Sequence, residues 1–322
     1  MLKADLYAGC IQLCGKRIAF YSNENRFNTY LCELFNLDTS CAQSGCLEIQ
    51  FIYDENGKSS DVSIRYEAGK VIVNEKRKKL ICEPKQVQCI IYANVKSAEA
   101  LYYTYVLPSL KTIFAENDIL TLHASAFRTQ KGTCAAFVSP SGCGKTSLSV
   151  LMMKYGAQIL TDDLFFIDIN QEKIWAFPRP AHVDISLCKW FTWLEEWIAH
   201  SQPYMSGSNK YNLRFFERDD ISYCFEMPLP DIIFFPVIGN KESTYAVSVS
   251  ERAALIRIMS QIYFNPHKNC REAAKLIDKY IDNSKVLYLG NDVILEPQKT
   301  AMRILDIIDS EVECKSEREE NK

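Results

Sequence analysis

Glycine is scarce in this chain, 12 of 322 residues, and histidine scarcer still at four. So little glycine excludes a fibrous or collagen-like repeat, and a hydrophobic fraction of 48% excludes a disordered one. Net charge is nearly absent: 37 basic against 40 acidic side chains leave −3. No global field draws the chain to nucleic acid or to an anionic membrane, so any phosphate chemistry must be local. No apolar run reaches the roughly 18 residues of a membrane span, and the cytoplasm is the expected compartment. The opening MLKADLYAGC ends like a lipoprotein cleavage site, but Asp5 interrupts it and no apolar h-region precedes Cys10. A folded start is expected. No internal repeat and no CxxC occurs. Thirteen cysteines, an odd number spread from Cys10 to Cys314, read as reduced thiols rather than a disulfide framework. The close pairs Cys10/Cys14 and Cys41/Cys46 lack histidines at zinc-finger spacing.

What is present divides in two, as the length suggests. Residues 1–96 read as a small β-rich, meander-like domain: KRIAFYS, CLEIQFIY, DVSIRYE, KVIVNE, KKLIC and VQCIIYA, with a turn at Asn56-Gly57 and a helix over 26–36. The basic run Lys76 to Lys79 is expected as a solvated hairpin tip. Helical spacing over 97–117, with Pro108 as a break between two helices, marks a linker. Over 118–312, short strands alternate with helices: ILTLHASAF, TCAAFVS, a helix over 145–155, AQILT, LFFID, KIWAF, a helix within 186–200, PDIIFFPV and TYAVSV. After these come helices following 250, over 270–282 and over 298–310, with VLYLG between the last two, and then a polar tail at 313–322. Ser248 and Glu251 have capping-box spacing, and Leu255, Ile258, Met259 and Ile262 predict the face packed on a sheet. The predicted class is α/β, a mixed sheet flanked by helices.

Chemistry concentrates in Ser139-Pro140-Ser141-Gly142-Cys143-Gly144-Lys145-Thr146, with Ser147 next, directly after the apolar strand AAFV and opening a helix. That is a P-loop in its required context. Phosphate oxygens need several backbone N–H donors converging on one point, which glycines permit, and the helix adds its positive N-terminal end. Lys145 would reach the β/γ-phosphates of ATP, and Thr146 would bind Mg²⁺. Ser139 stands where the Walker pattern has its first glycine. With glycine at about 7%, a GxGK[ST] string arises by chance in roughly one chain of this length in a hundred. Beyond it, AQILT ends in Asp162-Asp163, where a strand-end carboxylate beside a P-loop can hold phosphate-bound Mg²⁺. The second carboxylate is then available as a general base. His123, in TLHASAF, lies on the strand before the P-loop strand; His182, His200 and His267 have no such context.

Together, LHASAF, the Ser-Gly-x-Gly-Lys loop, Tyr155-Gly156-Ala157 and Thr161-Asp162-Asp163 resemble the catalytic domain of HPr kinase/phosphorylase and its related kinases, as does Phe177-Pro178-Arg179-Pro180. The matching stretch is about 119–186. The resemblance implies a P-loop kinase-like fold, Asp162 as general base, His123 as the histidine interacting with that aspartate, and Asp163 as the metal-proximal carboxylate. The Glu-x-Arg-Gly-type loop of the bifunctional enzyme has no counterpart here. Ala176-Phe177-Pro178-Arg179-Pro180 carries no acid, so kinase activity is implied without phosphorylase activity.

The expected function is therefore an ATP- and Mg²⁺-dependent kinase acting on a hydroxyl, serine above all, of a small protein or peptide. Two alternatives remain: a kinase of a free amino acid or sugar, and a nucleotide-binding ATPase or switch. Arg179 and the stretch Lys210 to Arg218 are candidates to touch the transferred phosphate or the acceptor. Neither nucleic acid nor membrane is an expected partner.

Overall fold

The computed structural model describes residues 7–35, 37–40, 45–54, 63–67, 70–75, 78–92, 101–177, 179–204, 207–215, 218, 221–239, 241–263, 270–281 and 283–320. The expected turn at Asn56-Gly57, the pair Lys76-Arg77, Pro178 and His267 lie outside them. The chain forms two compact units, Met1–Leu120 with Tyr263–Cys270, and Thr121–Ile262 with Arg271–Lys322. The class is mixed α/β, with antiparallel and mixed sheets flanked by helices.

The first unit is built on seven strands, β1 (Tyr7–Leu13), β2 (Lys16–Ser22), β3 (Leu47–Tyr53), β4 (Ser63–Glu67), β5 (Lys70–Glu75), β6 (Lys78–Glu83) and β7 (Gln86–Ile91). Their order is β1-β2-β3-β7-β6-β5-β4, which is not a meander. Helix α1 (Asn25–Phe35) crosses between β2 and β3, so these pair in parallel, and β3 pairs in parallel with β7. Parallel neighbours need such a crossover, and only β4 to β7 run as an antiparallel meander. One face of α1 buries Phe27, Leu31 and Phe35; Phe27 lies 4.4 Å from Phe51 and Phe35 stacks on Phe20 at 5.2 Å. Lys78 and Lys79 belong to β6 rather than to a hairpin tip, and Lys78 Nζ donates to Thr104 O at 2.6 Å.

The expected linker is core. A π-helical turn, Tyr102–Val106, runs without interruption into α2 (Leu107–Glu116), where Pro108 sits in the first turn. Pro108 lies inside this continuous helix and has no N–H to offer Thr104 O, four residues earlier; that carbonyl accepts from Lys78 Nζ instead. Leu110, Ile113 and Phe114 are buried, and the helix packs on β6 and β7. The reduced-thiol expectation holds for ten described cysteines and fails at Cys10, which is disulfide-bonded.

In sequence, β8 (Ile119–Leu122), β9 (Ala124–Arg128), β10 (Cys134–Val138), helix α3 (Lys145–Lys154), β11 (Gln158–Thr161), β12 (Phe165–Asp168), β13 (Lys173–Ala176) and β14 (Ala181–Asp184) follow. Then come α4 (Leu194–Ala199), β15 (Gln202–Pro203), β16 (Lys210–Leu213), β17 (Glu226–Pro228), β18 (Ile232–Ile238), β19 (Tyr245–Ser248), α5 (Glu251–Met259), β20 (Ile262–Tyr263), α6 (Cys270–Ile281), β21 (Ser284–Leu289), α7 (Asp292–Leu295) and α8 (Pro297–Glu320). The main sheet of the second unit has the order β11-β9-β10-β18-β21-β19, with β10, β18 and β21 mutually parallel. The strands β12, β13 and β17 form an antiparallel ladder, and β14, β16 and β15 a small sheet.

Three expectations are corrected in this unit. Ser250, not Ser248, caps α5, accepting from Ala253 N, because Ser248 is consumed as the last residue of β19. The buried face of α5 is Ala254 and Ile258, whereas Ile256 is 62% exposed, Leu255 is exposed and Ile262 has left the helix for β20. Helix α8 continues through Glu320, into the stretch expected as a polar tail. Among the described residues, no helix is long and apolar enough to cross a membrane.

Candidate functional site

The topology of the main sheet gathers the three chemistry-bearing segments at one edge. Strand β9 is antiparallel to both β10 and β11. The end of β10, which leads into the P-loop, therefore shares an edge with the start of β9, which follows His123, and with the end of β11, which leads into Asp162 and Asp163. Ala124 pairs with Val138, which places His123 and Ser139 just beyond neighbouring strand ends. Ligands of parallel sheets sit at such carboxyl-end crevices.

Two irregularities aim the side chains. The segment ILTLHASAF does not form one strand but breaks at His123, between β8 and β9, which join different sheets. The His123 N–H donates to Gln261 O at 3.0 Å, which pins the break. In β11 the register with β9 slips between Ile159 and Thr161, a bulge that turns the strand end.

All five residues of β10 are buried, and α3 begins at Lys145. Gly142 and Gly144 adopt φ of +86° and +89°, the left-handed region that a residue with a Cβ enters at a cost. Among the described residues, the non-glycine ones with positive φ are Cys14, Asp118 and Glu172, and Ser139 is not one of them. The backbone conformation at this position therefore does not call for glycine. Pro140, Ser141 and Gly142 are exposed, Cys143, Gly144, Thr146 and Ser147 half-buried, and Ser139 and Lys145 buried. Lys145 Nζ donates back to Ser139 O at 2.6 Å and Pro140 O at 3.1 Å. Burial pulls its pKa down, against the attraction of Asp163, Cys143 and Asp162.

The two aspartates face different partners, as neighbouring residues of extended chain do. Asp162, 4% exposed, accepts from Thr146 Oγ1 at 3.1 Å. Asp163, whose side chain is 30% exposed, sits with Oδ1 at 2.9 Å from His123 Nε2 and Oδ2 at 2.5 Å from Arg179 Nη2. His123 Nδ1 in turn lies 3.0 Å from Gln261 Oε1. His123 thus meets Asp163 and not Asp162, the partner that the resemblance implied, and Thr146 bonds to Asp162. Burial pushes Asp162 up to about 6, and the nearby Asp163 charge adds to it against the pull of Arg179. Burial also acts on Asp163, but Arg179 and then His123 hold its carboxyl well below the ordinary range.

Arg179 was a candidate on sequence; Gln261 was not, because its only signal is spatial. His182, which has no motif context in the sequence, is in charge range of Arg179, Asp163 and Lys210, and burial first, then Arg179, lowers its pKa to about 3. Its ring packs on Tyr204 at 3.8 Å. His200 Nδ1 lies 2.8 Å from Glu196 O, away from this group of residues. Within Lys210 to Arg218, Arg218 stacks over Trp197 at 4.5 Å, and Phe216 and Glu217 lie outside the described residues. No protein-family model matches the chain, and no curated protein sequence matches it.

Proposed function

We propose that the chain is a kinase that uses ATP and Mg²⁺ to phosphorylate a hydroxyl, serine above all, of a small protein or peptide. The observation that carries this reading is the hydrogen bond from Thr146, the second residue of α3, to Asp162 beside the buried Lys145. A P-loop hydroxyl and a strand-end carboxylate joined in this way form the metal-side half of a phosphoryl-transfer site. A P-loop kinase-like fold belongs to the same proposal, supported by β10, the loop, α3 and the parallel neighbours β18 and β21. A cytoplasmic location belongs to it as well.

The donors fit a hard cation. Thr146 and Asp162 offer only oxygen, and no group of three or more His, Cys, Asp or Glu side chains that could hold a metal occurs among the described residues. That incomplete shell suits Mg²⁺, which takes one or two carboxylates and completes its sphere with phosphate and water. Bound there, the ion would neutralise charge developing on the β- and γ-phosphates. Lys145 would bind the same phosphates once it leaves the Ser139 and Pro140 carbonyls. The observed pairings favour a division of labour opposite to the one expected from sequence. Asp162, bonded to Thr146 and almost wholly buried, serves the metal side. Asp163, the more exposed carboxylate, is where an acceptor hydroxyl can arrive, with His123 orienting it.

The test is incubation of the chain with γ-labelled ATP and Mg²⁺ together with small cellular proteins, peptides and hydroxyl-bearing metabolites. Phosphoserine in a protein or peptide is the expected product. Label confined to inorganic phosphate, or to a free metabolite, would overturn the acceptor class.

A further inference from the structure

Two cations at this sheet edge, Lys145 and Arg179, are engaged with oxygen acceptors of the protein. Lys145 sits on two loop carbonyls and Arg179 on Asp163 Oδ2. Asp163 is the chain neighbour of Asp162, which accepts from Thr146, so Arg179 is bonded to the residue beside the one that meets the P-loop helix. The Arg179 side chain is only 5% exposed, and its backbone is anchored: its N–H donates to Phe177 O at 2.8 Å, and the buried Phe177 packs edge-on against Phe166 at 5.6 Å. Arg179 lies between β13 and β14, close to the ends of both strands.

We propose that Arg179 is a catalytic residue held in reserve: it exchanges the Asp163 carboxylate for the oxygens of the transferring phosphoryl group. The inference rests on the kinase reading and deepens it. The chemistry of each partner supports the exchange. A guanidinium binds phosphate oxygens through a planar fork and stays protonated throughout, so it can carry charge to the phosphoryl group without entering the proton inventory. Asp163 keeps His123 as a partner on its other oxygen when the guanidinium leaves. In the transfer, the bond from the γ-phosphorus to the β–γ bridging oxygen breaks, and its electron pair leaves with ADP. The bond to the acceptor oxygen forms, and the hydroxyl proton passes to the Asp163 carboxylate. An ion pair serving only to fix the loop would have no preference for the reacting phosphorus, and the test turns on that difference.

The experiment compares the full chain with Arg179→Ala and Arg179→Lys, measuring affinity for Mg·ADP alone and for Mg·ADP with aluminium fluoride, a mimic of the transferring phosphoryl group. Wild type should bind ADP much more tightly with aluminium fluoride than without. Arg179→Ala should keep ADP affinity within about threefold and lose at least about a hundredfold of that enhancement, the lower range for an arginine acting on transferred phosphate. Arg179→Lys keeps the positive charge beside Asp163 but not the fork, and gives the same reading should the alanine variant not fold: ADP affinity kept, enhancement reduced at least about tenfold. Retention of the enhancement in both variants, or an equal loss with and without fluoride, overturns the inference. A wild-type chain that binds Mg·ADP but gains nothing from fluoride also overturns it while leaving nucleotide binding standing. A wild-type chain that binds no Mg·ADP overturns the kinase reading itself.

Discussion

Replacing Asp163 by asparagine keeps its size while removing the charge opposite a guanidinium whose side chain is 5% exposed. Breaking one half of a buried ion pair costs about 3–5 kcal/mol, because the remaining charge is uncompensated. Here the cost belongs at the lower end, about 3 kcal/mol, because Asp163 itself is 30% exposed and water already shares the pair. A second effect opposes it: Asp163 is one of the causes that raise Asp162, so its neutralisation relieves repulsion at a buried carboxylate. The net expectation is a loss of about 2 kcal/mol, or about 4–8 °C in the melting temperature of a unit of this size. The sign of the pH dependence follows from Asp163 being held below its ordinary pKa. Its stabilisation is complete above the unfolded value near 4 and fades as pH falls through the lower folded one. The gap between wild type and Asp163→Asn should therefore be full from about pH 6 to 8 and shrink below about pH 4. Thermal unfolding followed by near-UV circular dichroism reads it. A double variant, Asp163→Asn with Arg179→Met, should recover most of the loss, since removing both charges leaves neither uncompensated. A single variant melting within about 1 °C of wild type at pH 7.5, or a double variant melting below the single one, would refute the reasoning.

Asp162→Asn should have the opposite effect on stability. Its folded pKa, raised to about 6, contributes stability in acid that is lost as pH rises through that value. The variant should thus exceed wild type by on the order of 2 kcal/mol at pH 8 and converge with it by pH 4, while its Mg²⁺-dependent nucleotide affinity falls; equal melting at pH 8 would contradict this. Lys145→Met should cost at least about tenfold in Mg·ATP affinity and abolish transfer, as measured by titration calorimetry and label transfer. Gly144→Ala meets only ordinary contact, Leu289 Cδ1 at 3.5 Å, so its expected cost of about 1 kcal/mol is the left-handed φ of +89°; an unshifted melting curve would argue against that backbone geometry. Alkylation of the half-buried Cys143 should slow when Mg·ATP is present, and a rate indifferent to nucleotide would place the ligand elsewhere.

Local chemistry was legible without coordinates. The apolar run AAFV predicted the buried strand before the loop, and the Ser-Gly-x-Gly-Lys motif predicted the helix after it. Gly142 and Gly144 take the left-handed φ that glycines were expected to permit in this loop, and most strands of both units follow their apolar pattern. Where local signals misled, a competing use of the same residue was the cause. Ser248 had capping-box spacing but was taken by the edge of a sheet, which left the cap to Ser250. Leu255 had helical periodicity but lay about one position off the face that Ala254 and Ile258 bury.

Partnership between distant segments was decided only in three dimensions. Gln261 meets His123 across 138 positions, and no period or spacing encodes that distance. The parallel pairing of β2 with β3 depended on α1 acting as a crossover, although each element was visible alone. The division of the Asp162-Asp163 pair had the same character. The sequence specified two adjacent carboxylates at a strand end, but which one turned to Thr146 and which to His123 and Arg179 depended on a bulge in β11 and a strand break at His123. Residue identity and short-range spacing carry the chemistry a segment can perform. The side toward which each group points is set by packing against elements far away in the chain, and a shift of one residue there exchanges the partners of neighbouring side chains.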